Sequence, residues 1–376
     1  MAKSPLILAA LAKDAVPHVD FNLVKNLTTG LGGSFDTALL TATTGEHYVI
    51  RVANTHAASV ERDVELRALK ALAQADRMRL PFKITNLVGE TKDSRGQRAL
   101  IFEFVYGTPI EVGSVSPQSS LALSIGESIA AIHNLELSVV QDAHLAEYEP
   151  ADIIRGRVAD LDRAAETGRV PSILLSRWEA ALEESNLFRF QPAVIHGALG
   201  TDTALELDGL VSGVLSWSSL KISDPAEDLA WMVGAGNHEL TDTVLTRYGQ
   251  LRTSVDATLR QRATLYSELE MAKWLVHGVN KGSQGIIDDA LSMLTVLAED
   301  VESGAIGRLS AAPLAAAAAV IEATPAVEEL EIIEVIEIEE FEVAEAAEMT
   351  EQSDGETVDL ATRPIELPEK SEDELF

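Results

Sequence analysis

Residues 194–205, Val-Ile-His-Gly-Ala-Leu-Gly-Thr-Asp-Thr-Ala-Leu, lead through Asp208-Gly209 to Gly213-Val214-Leu215-Ser216-Trp217 and then to Ser223-Asp224-Pro225-Ala226-Glu227-Asp228-Leu229-Ala230-Trp231. An apolar triplet at 193–195, a glycine-bearing loop and two apolar runs about an Asp-Gly pair predict a short strand, a loop and a hairpin. Asp224 before Pro225 supplies an N-cap and a first-turn proline, which predicts a helix over 225–233. The rest of this half of the chain has helical periodicity, at 151–165, 174–184, 255–279 and 285–301. A loop and hairpin that interrupt a helical scaffold are where function concentrates.

Upstream, Ser116-Pro117 has the same cap-and-proline form, and Leu121, Ile125, Ile129 and Ile132 follow at helical spacing. The segment 20–105 has a different character, mostly strands and tight turns. Apolar runs at 35–43 and 47–52 flank Thr44-Gly45-Glu46, a hairpin signature. Val60, Val64, Leu69 and Leu72 place one amphipathic helix within 57–76. Runs at 83–90 and 98–105 are joined by the turn residues Asp93-Ser94-Arg95-Gly96. The opening residues are a helix-forming lead-in, since their apolar run spans only about eight residues and lacks a small-residue cleavage site. The pattern predicts an α+β chain in three segments. Residues 1–105 form an N-terminal lobe with an antiparallel sheet and one main helix, 106–307 a mostly helical C-terminal lobe carrying the hairpin, and 308–376 an acidic tail.

A chain of 376 residues exceeds what one core usually organises, in keeping with two lobes and a non-globular segment. It has no cysteine, which excludes disulfides, thiolate metal sites and thiol nucleophiles. No run approaches the roughly 20 apolar residues that cross a bilayer, so a soluble, cytoplasmic protein is expected. The net charge of −31 is uneven: residues 309–376 hold 20 Asp and Glu against Arg363 and Lys370, leaving −13 for the remainder. Such a field repels nucleic-acid phosphates and anionic lipid, which argues against those partners and leaves basic or cationic ones. Like charge with few bases predicts a disordered tail.

Three further features bear on chemistry. Gly30-Leu31-Gly32-Gly33-Ser34 lies between two strands, where backbone amides can approach phosphates, although glycines also close hairpins without a ligand. No Gly-Lys-Ser/Thr follows, so this is not a P-loop. Arg51 lies on an otherwise apolar strand and Glu65 on the next helix, a pair able to bridge the two or simply to face solvent. His133 and His277 have no acidic or histidine neighbour at ligand spacing, and with Trp217, Trp231 and Trp274 they are read as packing or surface residues; no metal site is assigned.

Taken together, the loop, hairpin and helix resemble the catalytic and metal-binding region of aminoglycoside/macrolide phosphotransferases, whose pattern is HGDxxxxN, a strand, DW, then GDPxxDLA. The resemblance covers roughly residues 20 to 300 and implies a protein-kinase-like two-lobed fold. It implies nucleotide contacts from Gly30, Gly32, Gly33, Ser34, Arg51 and Glu65, and from Glu103 and Val105 in the hinge between the lobes. His196, Gly197, Trp217, Asp224, Pro225 and Asp228 match the pattern. Three positions where the family does its chemistry depart from it. Ala198 stands where the family has the aspartate that positions or deprotonates the acceptor hydroxyl, and a methyl group accepts no proton. Thr203 replaces a metal-ligating asparagine, and Ser216 replaces the aspartate that binds magnesium, with a hydroxyl a weak ligand beside a carboxylate.

The resemblance and its departures imply a pseudokinase, a ligand-binding or scaffolding protein whose cleft holds ATP, another nucleotide or a small hydroxylated ligand, with magnesium poorly provided for. One alternative is an ATP-dependent O-phosphotransferase of the aminoglycoside/macrolide type, with Asp202 or Asp224 standing in for the lost carboxylates. Another is a structural platform for the acidic tail, which would contact a protein partner.

Overall fold

The computed structural model describes residues 3–27, 34–72, 79–252, 254 and 256–310. Five strands form one antiparallel sheet, in the order β1 (Phe21–Asn26), β2 (Phe35–Ala42), β3 (His47–Ala53), β6 (Arg98–Glu103) and β5 (Leu87–Lys92). Strand alternation divides its residues between two cores. Ala38, Leu40, Ile50, Val52, Ala99 and Ile101 pack with Leu8 and Ala12 of α1 (Pro5–Ala15). Leu100 and Phe102, the other face of β6, join Leu66 and Leu69 of α2 (His56–Ala71) in the large core that continues into the C-terminal half. The lead-in is thus a helix, started by Ser4 as N-cap and Pro5 in the first turn. Its end sits hard on the sheet: a Cβ at Gly89 of β5 would lie 2.6 Å from Val16 Cγ1 and 2.8 Å from the Ala15 carbonyl.

After a two-residue strand β4 (Lys83–Ile84) and the five-stranded sheet, the chain passes β7 (Thr108–Pro109) and becomes helical. The helices are α3 (Ser120–His133), α4 (Ser138–Gln141), α5 (Pro150–Glu166), α6 (Ser172–Glu183), α7 (Ala230–Val233), α8 (His238–Leu251), α9 (Leu259–Lys281) and α10 (Gln284–Ser303). Two small sheets interrupt them. One has the order β4, β11 (Leu210–Val214), β10 (Ala204–Leu207), β7; the other has β8 (Ala146–Glu147), β12 (Lys221–Ser223), β9 (Ala193–Ile195). The β10–β11 turn uses Asp208 and Gly209, both at positive φ (54° and 75°), the conformation an Asp-Gly hairpin requires. β4 pairs parallel with β11, so the segment between α2 and the large sheet is stitched directly to the hairpin.

This is the expected α+β kinase-like architecture, an N-terminal antiparallel sheet followed by a helical part, with four local departures from what the sequence suggests. α3 starts at Ser120 rather than at Pro117, because 116–119 closes as a turn and Ser119 is the residue whose hydroxyl accepts the Ala122 amide, at 3.2 Å. The expected helix over 225–233 opens as a 3-10 turn, Pro225–Leu229, before the α-helical residues. α8 was not foreseen, although its buried Leu240, Val244 and Tyr248 recur every fourth residue and Asn237 caps it. The helix expected from 255 begins at Leu259, after a turn in which Asp256 accepts the Thr258 amide. The acidic tail from 311 onward and the end of the expected helix over 57–76 lie outside the described residues. No described helix is long and apolar enough to cross a membrane.

Leu8 is 1% exposed in the core between α1 and the sheet. Leu8→Ala is expected to cost about 2–4 kcal/mol in urea unfolding through the cavity it leaves, with the slope of the transition unchanged.

Candidate functional site

The loop that follows β9 is fixed by one buried carboxylate. Asp228, in the 3-10 turn, accepts the His196 amide on Oδ2 and the Gly197 amide on Oδ1, each at 2.7 Å, and His133 Nε2 on Oδ2 at 3.2 Å. His133 is held in turn by Tyr248, whose hydroxyl lies 2.9 Å from Nδ1. These bonds assign the tautomer: Nε2–H donates to Asp228 and Nδ1 accepts from Tyr248. Burial raises the carboxyl of Asp228, but its bond to His133, the two histidines and the Gly197 amide outweigh that and hold it below its ordinary value. Burial drives both His133 and His196 downward, against the pull of Asp228.

His196 builds the loop's inner wall. Its Nε2 donates to the Leu215 carbonyl at 2.9 Å, its Nδ1 accepts the Ala198 amide at 3.3 Å, and its ring stands edge-on to Trp217 at 4.7 Å. Trp217, fully buried, stacks on Phe82. Gly197 has φ +77°, and a Cβ there would lie 2.5 Å from the Ser219 carbonyl, so only glycine fits.

The three departing positions sit on this frame. Ala198 is exposed and lines a cavity of 860 Å³ beside the loop, along with Arg157, Leu199, Lys221, Glu227 and Trp231. The Thr203 hydroxyl is spent inside the loop: it accepts the Gly200 amide at 3.0 Å and donates to the Ala198 carbonyl at 3.0 Å or the Gly200 carbonyl at 3.2 Å. Ser216 is left-handed, at φ 64° and ψ 60°, a conformation that asparagine and aspartate tolerate better than most residues. Asp202 is an exposed loop residue. Asp224 is fully buried and fully occupied, its oxygens taking Arg262 Nε at 2.6 Å, Arg262 Nη2 at 3.0 Å, the Tyr266 hydroxyl at 2.7 Å and the Ala226 amide at 2.9 Å. It is the cap that the sequence suggested and also one half of a buried ion pair.

In the N-terminal lobe Arg51 Nη1 donates to Glu65 Oε2 at 2.9 Å, and its guanidinium lies 4.3 Å above the Phe35 ring. The strand and helix are therefore bridged. Glu65 Oε1 is buried without a partner, as is the hydroxyl of Thr37, the cross-strand neighbour of Arg51. Ser34 offers its carbonyl to the Asn54 amide, Glu103 accepts from Asn86 Nδ2 at 3.1 Å, and Val105 is buried. Gly30, Gly32 and Gly33 lie outside the described residues. Among the described residues no group of three His, Asp or Glu side chains converges, and the hydroxyl at 203 is already committed within the loop.

A profile of the phosphotransferase enzyme family matches residues 29–265. The chain belongs to that family. Solved structures agree on the fold: the macrolide 2'-phosphotransferase MphH of Brachybacterium faecium superposes with a TM-score of 0.63 at 18% identity, covering 77% of this chain and 98% of the other. A type I macrolide 2'-phosphotransferase gives 0.64 at 21% identity, over 78% and 98%. The GDP complex of aminoglycoside 2'-phosphotransferase-IIIa gives 0.63 at 18%, again over 78% and 98%. No sequence among curated proteins matches.

Sequence patterns alone mark His133 as a packing residue and miss its bond to Asp228, 95 positions away. They also miss Arg157, Lys221 and Glu227 in the cavity; no motif marks them, because they meet only through α5 and β12.

Asp228→Ala would leave two loop amides and His133 unpaired in the interior, and a loss of about 3–5 kcal/mol in chemical denaturation is expected. The pH dependence has a definite sign. Two histidines whose folded pKa lies below the ordinary 6.5 stabilise the fold fully above pH 6.5, and that contribution drains away as the pH falls toward their folded values. The melting temperature is therefore expected to fall steadily on acidification from pH 7 to 5, with a shallower slope in His133→Gln, read by calorimetry.

Proposed function

We propose that this chain is a catalytically disabled phosphotransferase that uses its cleft to bind a nucleotide or a small hydroxylated ligand and acts as a binding or scaffolding protein. Ala198 carries the argument: an exposed methyl group sits at the position where its relatives' pattern has the carboxylate for the acceptor hydroxyl. Losing a general base alone costs about 10²- to 10⁴-fold. Phosphoryl transfer leans further on metal ions to offset charge. Thr203 is tied into the loop and Ser216 offers only a hydroxyl, so neither replaces a lost carboxylate or amide. What remains is suited to holding a ligand. Arg51, braced by Glu65 and Phe35, supplies positive charge for phosphate, and Ser34, Glu103 and Val105 belong to the same proposed nucleotide site, completed by Gly30, Gly32 and Gly33.

A working ATP-dependent phosphotransferase acting on an alcohol is the competing reading. It is favoured by the assembled Arg51–Glu65 pair and by Asp202, an exposed carboxylate four residues beyond Ala198. Asp224 is an unsuitable substitute because Arg262 and Tyr266 consume its oxygens. We assign residues 1–105 and 106–307 to the two lobes. The segment 308–376, with its excess of acid, we assign to contact with a basic protein partner; capture of the same partners by chains with and without that segment would remove it from the account.

The three seats can be refilled. Ala198→Asp, Thr203→Asn and Ser216→Asp together are expected to create magnesium-dependent phosphate transfer or ATP hydrolysis at least about 10²-fold above the native chain. Equal turnover by the native chain, abolished by Asp202→Ala, would overturn inactivity in favour of the competing reading.

A further inference from the structure

The cavity beside Ala198 has a charge pattern that speaks to its ligand. Four acidic and four basic side chains line it, so its formal charge is zero in a chain of net charge −31. Each of the four carboxylates is paired with a basic side chain of the lining or next to it. Glu227 accepts Lys221 Nζ at 2.8 Å, the Ser223 hydroxyl at 2.5 Å and Arg157 at 3.3 Å. Asp160 is paired with Arg163 and with Arg157, Glu270 with Lys273 at 2.5 Å, and Asp152 with Arg155. Lys221 sits at the reaction end: its Cε is 3.0 Å from where a Cβ on Gly197 would stand, one residue before Ala198. Between the charges lie Ile153, Leu199, Trp231 and Met271, an apolar wall.

We propose that Lys221 and Lys273, with Arg157 and Arg163, act as built-in counter-ions that exclude polycations and reserve the cavity for an uncharged, hydroxyl-bearing ligand with an apolar face. This deepens the ligand-binding reading above and rests on it. A polyamine entering the cavity would have to displace a side-chain cation from every carboxylate it used, returning one ion pair for each it broke. The Lys221–Glu227 pair is the most costly to open, because both side chains are largely buried and Glu227 holds two further donors. An uncharged hydroxylated ligand leaves these pairs intact and gains the apolar wall. Removing the two lysines would free Glu227 on one side and Glu270 entirely.

The test uses a matched pair of probes, kanamycin and fully N-acetylated kanamycin, which share a ring skeleton but differ in positive charge. Binding to the full-length native chain and to the Lys221→Met/Lys273→Met variant is measured by calorimetric titration at low and high salt. The expected result is that the variant binds kanamycin at least about tenfold tighter than the native chain, with the gain lost at high salt, and that its preference moves from the acetylated to the amine form. Two results overturn the proposal: a native chain that prefers the amine form, or a double variant with an unchanged far-ultraviolet spectrum that gains no kanamycin binding. A misfolded double variant is replaced by Lys273→Met alone, which frees an exposed carboxylate and must show the same direction of change. These equilibria are read without turnover, so a failure here is separable from a failure of the inactivity reading.

Discussion

The carboxylate of Asp228 is the constraint on which the rest of the site depends. It stands in the turn after β12, takes two consecutive amides from the loop after β9 and a histidine from α3, and is sealed from water. Three separate elements of the C-terminal half therefore meet at one charged group. A buried ion of this kind is tolerable only when its lone pairs are filled, and here each oxygen receives a strong donor. The loop's backbone is set by that contact, by His196 and by the Thr203 hydroxyl, with no part taken by the side chains at 198 and 216. This explains how positions 198, 203 and 216 can carry non-acidic residues while the loop keeps its path.

A second buried cluster does the same for the layer below. Arg262 on α9 grips Asp224 through Nε and Nη2 and Asp256 through Nη1 and Nη2, and its Nη1 also meets the Leu187 carbonyl. Asp256 and Arg262 reinforce each other: burial raises the former and lowers the latter, but their mutual hydrogen bond and attraction leave Asp256 below and Arg262 above its ordinary value. The helical scaffold and the site thus share their ion pairs. Asp224 and Asp228, only four residues apart, serve opposite directions, one facing the long helix and the other facing the loop.

How much of this was legible in the sequence depends on how far apart the partners lie. The hairpins at Thr44-Gly45-Glu46 and Asp208-Gly209 were readable because turn residues and flanking strands are contiguous, and the cap at Asp224 was readable because Pro225 follows it. The order of strand and helix allowed Arg51 to meet Glu65 but equally allowed both to face solvent, and only the packing of α2 on the sheet decides for the pair. The grip of Arg262 on Asp224, 38 residues away, left no local trace, and neither did the bond from His133 to Asp228. Thr203 shows a different limit. Its identity suggested only a missing ligand, while the fold reveals a hydroxyl that closes the loop upon itself. Helix α8 carries a local signal as well, Leu240, Val244 and Tyr248 at every fourth position behind the Asn237 cap, and packs against α3.

The first helix has a consequence for how the chain is made. Leu8 and Ala12 leave the ribosome before the surface that receives them, which is assembled from β2, β3 and β6, and α1 is backed at its far end by Gly89 of β5. Lys3 reaches still further along the sequence, to Asp36, Asp93 and Gln97. About a hundred residues must therefore be synthesised before the earliest apolar segment has anywhere to go, a delay set by loop closure and contact separation rather than by helix formation. During that interval a short apolar stretch, with Leu6 and Ile7 outward even in the folded chain, is exposed to the contacts that chaperones prevent.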